Sequence, residues 1–192
     1  NGYTHVNNSG AGNCLLDSIR DGVEDTMTSE EKNNFHISFQ TQNQAEFHRL
    51  FRCAIVDQLN HLVKVDHTNP FFGQQQHILT QTVDITNSLQ AANDPTNDNV
   101  WRKTKREIEL TAEHKAQQQQ RQHPNTNDIW DAYLEVMKHD GTFLDGQTFL
   151  PAIATILKRP IKLHLCGEIR DQQGRTTQYE YKTRLEPNSS DM

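Results

Sequence analysis

Apolar positions along the chain recur at helical spacing for most of its length and at alternating spacing near its end. Leu15, Leu16, Ile19 and Val23 follow a short polar, Gly-rich stretch, residues 1 to 13, and predict a helix whose first residue is Cys14. Thr28-Ser29-Glu30-Glu31 has capping-box spacing, so a second helix is expected to about Phe39. Phe47, Leu50, Phe51, Ala54, Ile55, Leu59, Leu62 and Val63 form the clearest amphipathic stripe, with Cys53 beside it. Asn69-Pro70 breaks the pattern, after which Ile78, Leu79, Val83, Ile85 and Leu89 predict a helix that ends before Asp94-Pro95. A further helix is expected from about Asn97 to Arg121. Its second half has almost no large apolar residue and is expected to project into solvent or fray.

Pro124 to Asn127 reads as a turn, and Ile129, Trp130, Tyr133, Leu134 and Met137 as a new amphipathic helix. Asp140-Gly141 and Asp145-Gly146 bracket a loop, Phe149 to Leu157 reads as a helix, and Pro160 stops it before a strand over Ile161 to Cys166. A turn around Gln172-Gln173-Gly174 leads to a second strand, about Thr177 to Leu185, whose alternation fits one buried face. Helices followed by strands make the fold class α+β, a mixed α and β domain with a small sheet flanked by helices. Residues 1–39 and 124–192 are expected to form its core, and residues 40–123 an inserted helical lobe.

Composition narrows the classes of partner. The apolar fraction is 33% and the mean hydropathy −0.85, which is lean, but the apolar residues are grouped periodically, as in a folded chain with much solvated helix surface. A chain of 192 residues is long enough for one domain with an appended lobe, taken here as monomeric. A net charge of −6 argues against nucleic acid and suits a basic partner. Cys14, Cys53 and Cys166 lie far apart, which indicates neither a disulfide scaffold nor a structural zinc site and suits a reducing compartment. No apolar run approaches the roughly 20 residues of a membrane span, and no signal-peptide core precedes the first motif. His114, His123 and the Gln tract offer no paired spacing, so no metal and no cofactor is expected. Trp101 and Trp130 read as core anchors.

The chemistry concentrates at Ser9 to Leu16. A thiol attacks as its thiolate, and a helix N-terminus favours that form through its unpaired amides. Glycines before Cys14 let backbone amides turn toward a reacting carbonyl, as an oxyanion hole requires. Against this, a lone cysteine is most often a small buried hydrophobe. Residue types and spacing leave the two readings balanced.

Gly10-Ala11-Gly12-Asn13-Cys14-Leu15-Leu16-Asp17-Ser18-Ile19 resembles the G-D-G-N-C-L-F-x-A-I signature of the ovarian-tumour (OTU) family of deubiquitinases. Downstream, Trp130-x-x-Tyr133, Asp140 to Gly146, Phe149-Leu150-x-Ala152 and Arg159-Pro160-Ile161-Lys162-Leu163 resemble that family's D-G-x-W-G-D, helix, R-P-I-x-V block in order and spacing. The resemblance covers about residues 3 to 24 and 128 to 185. The helical segment between is similar to bacterial effector OTUs of the Legionella type, which act after secretion in a host cytosol. It implies a papain-like cysteine protease core and an isopeptidase that cleaves ubiquitin from lysine or from polyubiquitin through a Cys14 thioester. It also implies oxyanion contacts from the Ala11, Gly12 and Asn13 loop, and ubiquitin contacts at Trp130, Thr142, Phe143 and Leu144.

Two departures qualify it. Ala11 stands where the family has an Asp, which removes a carboxylate that helps order the loop. The family's general-base histidine would fall just after Met192, and no histidine follows His164. A shortened chain, a non-catalytic ubiquitin-binding module and a rearranged site served by His5 are the three explanations, ranked in that order. His164 alternates with Ile161, Leu163 and Leu165, so it lies on the opposite strand face and either approaches a cleft or is an ordinary surface imidazole. A cysteine hydrolase with another substrate is a further alternative.

Overall fold

The computed structural model describes residues 12–33, 36–65, 78, 95–170 and 176–187, with backbone alone over 95–101, 163–170 and most of 176–183. Helix α1 (Cys14–Thr26) opens at the expected residue, and α2 (Ser29–Asn33) follows a formed capping box in which Thr28 Oγ1 accepts from Glu31 N and Glu31 accepts from Thr28 N. The second helix is shorter than expected, giving way to a 3₁₀ turn at Ile37–Gln40. Helix α3 (Gln44–Val65) is followed by α4 (Pro95–Gln118), α5 (Thr126–Met137), α6 (Gly146–Leu157) and the antiparallel pair β1 (Ile161–Arg170) and β2 (Thr176–Leu185). The strand pair runs in register from Ile161 opposite Leu185 to Arg170 opposite Thr176. β1 therefore outlasts the apolar run that ended at Cys166, because ladder hydrogen bonds carry the backbone past it. The helix expected over residues 78–89 lies outside the described residues except Ile78, which is buried.

Among the described residues one hydrophobic cluster joins the elements. Phe47, Phe51, Ile55 and Leu59 of α3 are fully buried and meet Phe149 and Ile153 of α6, Trp130, Tyr133 and Val136 of α5, and Leu16 of α1 in it. Trp130 stacks on Tyr133 with ring centroids 5.5 Å apart, and Tyr133 on Phe149 at 6.4 Å. Burying four large α3 side chains contributes roughly 6–12 kcal/mol in transfer terms.

The apolar stripe of α3, which lies in the segment expected to form an inserted lobe, packs in the same cluster as α1, α5 and α6. A stripe reveals that a helix buries one face without revealing against what. The second half of α4 does not stand free: Ala112 and Ala116 are 1% exposed, and Lys115 pairs with Glu135 of α5 at 2.8 Å. Small side chains let two helix backbones approach, so the absence of large apolar residues was compatible with packing. Among the described residues no helix is long and apolar enough to cross a membrane.

Candidate active site

Cys14 is the first residue of α1 and is half-buried. The loop before it is held by side chains from α3 and by the turn after α5. Gly12 has φ +60°, a left-handed conformation that glycine adopts without penalty, and Asn13 follows at φ −97°, ψ 2°. A left-handed residue followed by one on the right-handed side turns successive backbone amides toward one concavity, the arrangement that binds anions and oxyanions. The loop also has no slack: a β-carbon on Gly12 would lie 1.9 Å from the Gly141 carbonyl oxygen.

Asn13 occupies the N-cap position of α1, yet its side chain makes no cap bond. It is engaged elsewhere. Its Oδ1 accepts a 2.6 Å hydrogen bond from Arg52 Nη2, and because a guanidinium only donates, this assigns the oxygen and leaves the Asn13 NH₂ on the other side. That NH₂ donates to Asp140 Oδ1 at 2.8 Å and meets His48 Nδ1 at 3.2 Å. His48 Nδ1 is therefore the acceptor of the ring, and Nε2 carries the proton that it donates to Asp17 Oδ1 at 2.6 Å. Asp17 lies one turn along α1 from Cys14 and also accepts from Gln44 Nε2 at 3.0 Å. Side chains from α3 and from the turn after α5 thus converge on the residue before the thiol, with α1 joined to them through His48.

Arg52 is the deepest member, 0% exposed. Besides Asn13 Oδ1, its Nη2 reaches the Gly12 carbonyl oxygen at 3.3 Å, and its Nη1 donates to the Met137 carbonyl oxygen at 3.1 Å. Burial pulls its pKa down to about 10, against the opposing pull of the Asp140 carboxylate and Cys53. It is still a cation at neutral pH. Asp140 and Gly141 reach the site because α5 ends at Met137 and a tight turn follows, in which Thr142 N donates to His139 O and Thr142 Oγ1 to Val136 O.

Of the residues singled out from the sequence, Gly12, Asn13 and Cys14 come together as one loop. Ala11 and His5 lie outside the described residues, as does the side chain of His164. Trp130, Thr142 and Leu144 are buried, at 1%, 8% and 2% exposed, and Trp130 Nε1 donates to Asn60 Oδ1. Phe143, the fourth residue expected to contact ubiquitin, is half-buried. His48 and Arg52 were not singled out, and Asp140 only as the first residue of the second family block. The signal for the first two was their i, i+4 spacing alongside the apolar stripe, which also fits a solvated flank. Among the described residues no three His, Cys, Asp or Glu side chains converge as a metal site would need.

A family model for OTU-like cysteine proteases matches residues 9–191. No curated protein and no solved structure matches the chain.

Proposed function

The chain belongs to the family of OTU-like cysteine proteases, with their papain-like fold, and on that premise we propose that it is a deubiquitinase, an isopeptidase for ubiquitin and polyubiquitin. The observation that carries the reading is the Gly12–Cys14 loop, where a left-handed glycine, a tethered asparagine and a thiol at a helix start lie in immediate succession.

In the proposed reaction the Cys14 thiolate attacks the carbonyl carbon that joins the C-terminal glycine of ubiquitin to a lysine amine. The carbonyl oxygen becomes an oxyanion held by the amides of Cys14 and the preceding loop. Collapse of this adduct forms a thioester and expels the amine, which takes a proton, and water then attacks the thioester to release ubiquitin and restore the thiol. His48 is not suited to carry these protons, because both ring nitrogens are engaged by Asn13 and Asp17. His5 is the candidate base within the sequence. An acidic chain suits the arginine-bearing tail of ubiquitin. The long helical segment between the two family blocks supports a likeness to Legionella-type effectors, and with it action in a host cytosol.

A ubiquitin probe with a C-terminal electrophile tests the proposal. An adduct that disappears in Cys14→Ala is the expected result. Binding without an adduct would favour a ubiquitin-binding module instead, and neither binding nor adduct at high concentration would remove ubiquitin as the substrate.

A further inference from the structure

We infer that Arg52 is a positioning residue for the reaction, setting the direction of the Asn13 backbone amide through its hydrogen bonds to the Gly12 carbonyl and the Asn13 side chain. The inference rests on the reading of the Cys14 loop as an oxyanion site.

Burying a cation costs several kcal/mol after relaxation, and the usual compensation is a carboxylate at hydrogen-bonding distance. Arg52 has another arrangement. Its described hydrogen bonds go to three amide-type oxygens, those of Gly12, Asn13 and Met137, while Nε has no partner among the described residues. Stability alone does not account for such a residue, since an apolar side chain of similar volume is often neutral or better at such a site. What the guanidinium supplies is direction. The Gly12–Asn13 peptide is trans, so its C=O and N–H point opposite ways. With the oxygen drawn toward Nη2 of Arg52, the Asn13 N–H is turned away from α3, to the side on which the next amide, that of Cys14, can join it. The second bond of Nη2, to Asn13 Oδ1, fixes the same residue by its side chain and orients its NH₂ toward His48 and Asp140. Nη1 anchors the whole fork to the end of α5. Arg52 thereby holds the peptide from one side while Gly141 blocks it from the other.

The test compares wild type with Arg52→Met, Arg52→Lys, Asn13→Ala and the double variant Arg52→Met/Asn13→Ala. One arm measures hydrolysis of ubiquitin bearing a C-terminal fluorogenic amide. The other measures alkylation of Cys14 by iodoacetamide, a displacement that forms no oxyanion. Arg52→Met is expected to lower kcat by about 10²-fold, the size of losing one oxyanion donor, with KM within about threefold of wild type and the alkylation rate unchanged. Arg52→Lys should recover part of the loss. The double variant should be no slower than the slower single variant, because both act on one peptide. Unchanged kcat in Arg52→Met, multiplying losses in the double variant, or a parallel fall in alkylation would each overturn the inference. Should Arg52→Met fail to fold, Arg52→Lys carries the comparison, with an unaltered kcat counting against the role. If wild type itself leaves the ubiquitin amide intact, the ubiquitin reading fails separately. The positioning is then read by NMR: slow exchange of the Asn13 side-chain amide protons in wild type that becomes fast in Arg52→Lys supports it, and equal exchange overturns it.

Discussion

The carbonyl oxygen of Gly141 sits where a β-carbon on Gly12 would have to go, 1.9 Å from that position. This contact joins the loop before the nucleophile to a turn more than a hundred residues later, and both partners are left-handed glycines. They differ in what surrounds them. Gly141 has open space around its missing side chain, so Gly141→Ala should cost only the conformational penalty, roughly 1–2 kcal/mol of stability. Gly12→Ala adds a clash with backbone that no rotamer change can relieve. It is expected to lower ubiquitin-amide hydrolysis by about 100-fold or more, the usual consequence of displacing reacting groups by an ångström. Paired urea melts and kinetics on the two variants check this, and equal effects would show that the close approach is unimportant.

His48 stands beside the nucleophile's loop with a carboxylate partner, a disposition that invites a reading as the base. Its two nitrogens instead link Asn13 to Asp17. Asparagine at this position places an oxygen near the site of Nδ1 and can still accept from Asn13, but it cannot carry a proton. His48→Asn is therefore expected to retain kcat within about tenfold, whereas loss of a general base costs on the order of 10²–10⁴. A fall beyond about 100-fold with an unchanged melting temperature would reassign His48 to proton transfer.

How much of this was readable beforehand depends on what each pattern reports. Spacing marks which residues share a face, and so Cys14 as a helix start, the Thr28–Glu31 box and the hairpin strands could all be placed. Spacing is silent about what the face meets. His48 and Arg52 flank the apolar stripe of α3 and look like its solvated edge, yet both are buried, because the loop before Cys14 lies across that edge. At Trp130 and Leu144 likeness to a family motif suggests a binding surface, while the fold shows two large apolar side chains that belong to the buried core. The departure at Ala11 looked like a lost tether from one motif alone. Only the fold brings Asp140, from the second motif, to the Asn13 side chain.

The start of α5 combines two stabilising devices. Asn125 Oδ1 accepts from Asp128 N while Asp128 accepts from Asn125 N, and Arg121 Nη2 donates to Asp128 Oδ1 at 2.6 Å. Arg121, and then the Asn125 amide, hold the Asp128 carboxyl below its ordinary value of 3.8. Stability from this group is therefore present above that value and is lost as pH falls below it, when the unfolded chain takes up the proton first. Asn125→Ala is expected to cost about 1 kcal/mol at neutral pH, measured by urea unfolding. Asp128→Asn should flatten the acid limb of the stability profile; an acid limb as steep as that of wild type would remove Asp128 from the account.

His36 governs a higher pH window. It is half-buried, its ring centroid 6.2 Å from that of Phe51, and burial holds its pKa below the ordinary 6.5. The unfolded chain therefore binds a proton at this position before the folded chain does, so unfolding gains protons as pH drops and stability rises with pH through the window just below 6.5. Phenylalanine keeps the ring and removes the titration. His36→Phe should accordingly lose less stability than wild type between about pH 7.5 and about pH 5.5, a difference read from the urea midpoints of the two proteins at the two values. Since Phe51 also lies against Phe47 and Phe39 at the outer end of α3, acid loosening at His36 should propagate to the helix that carries His48 and Arg52. Hydrogen exchange along α3 should then rise at the lower pH in wild type and stay nearly level in His36→Phe; matching rises in both proteins would place the acid-sensitive group elsewhere.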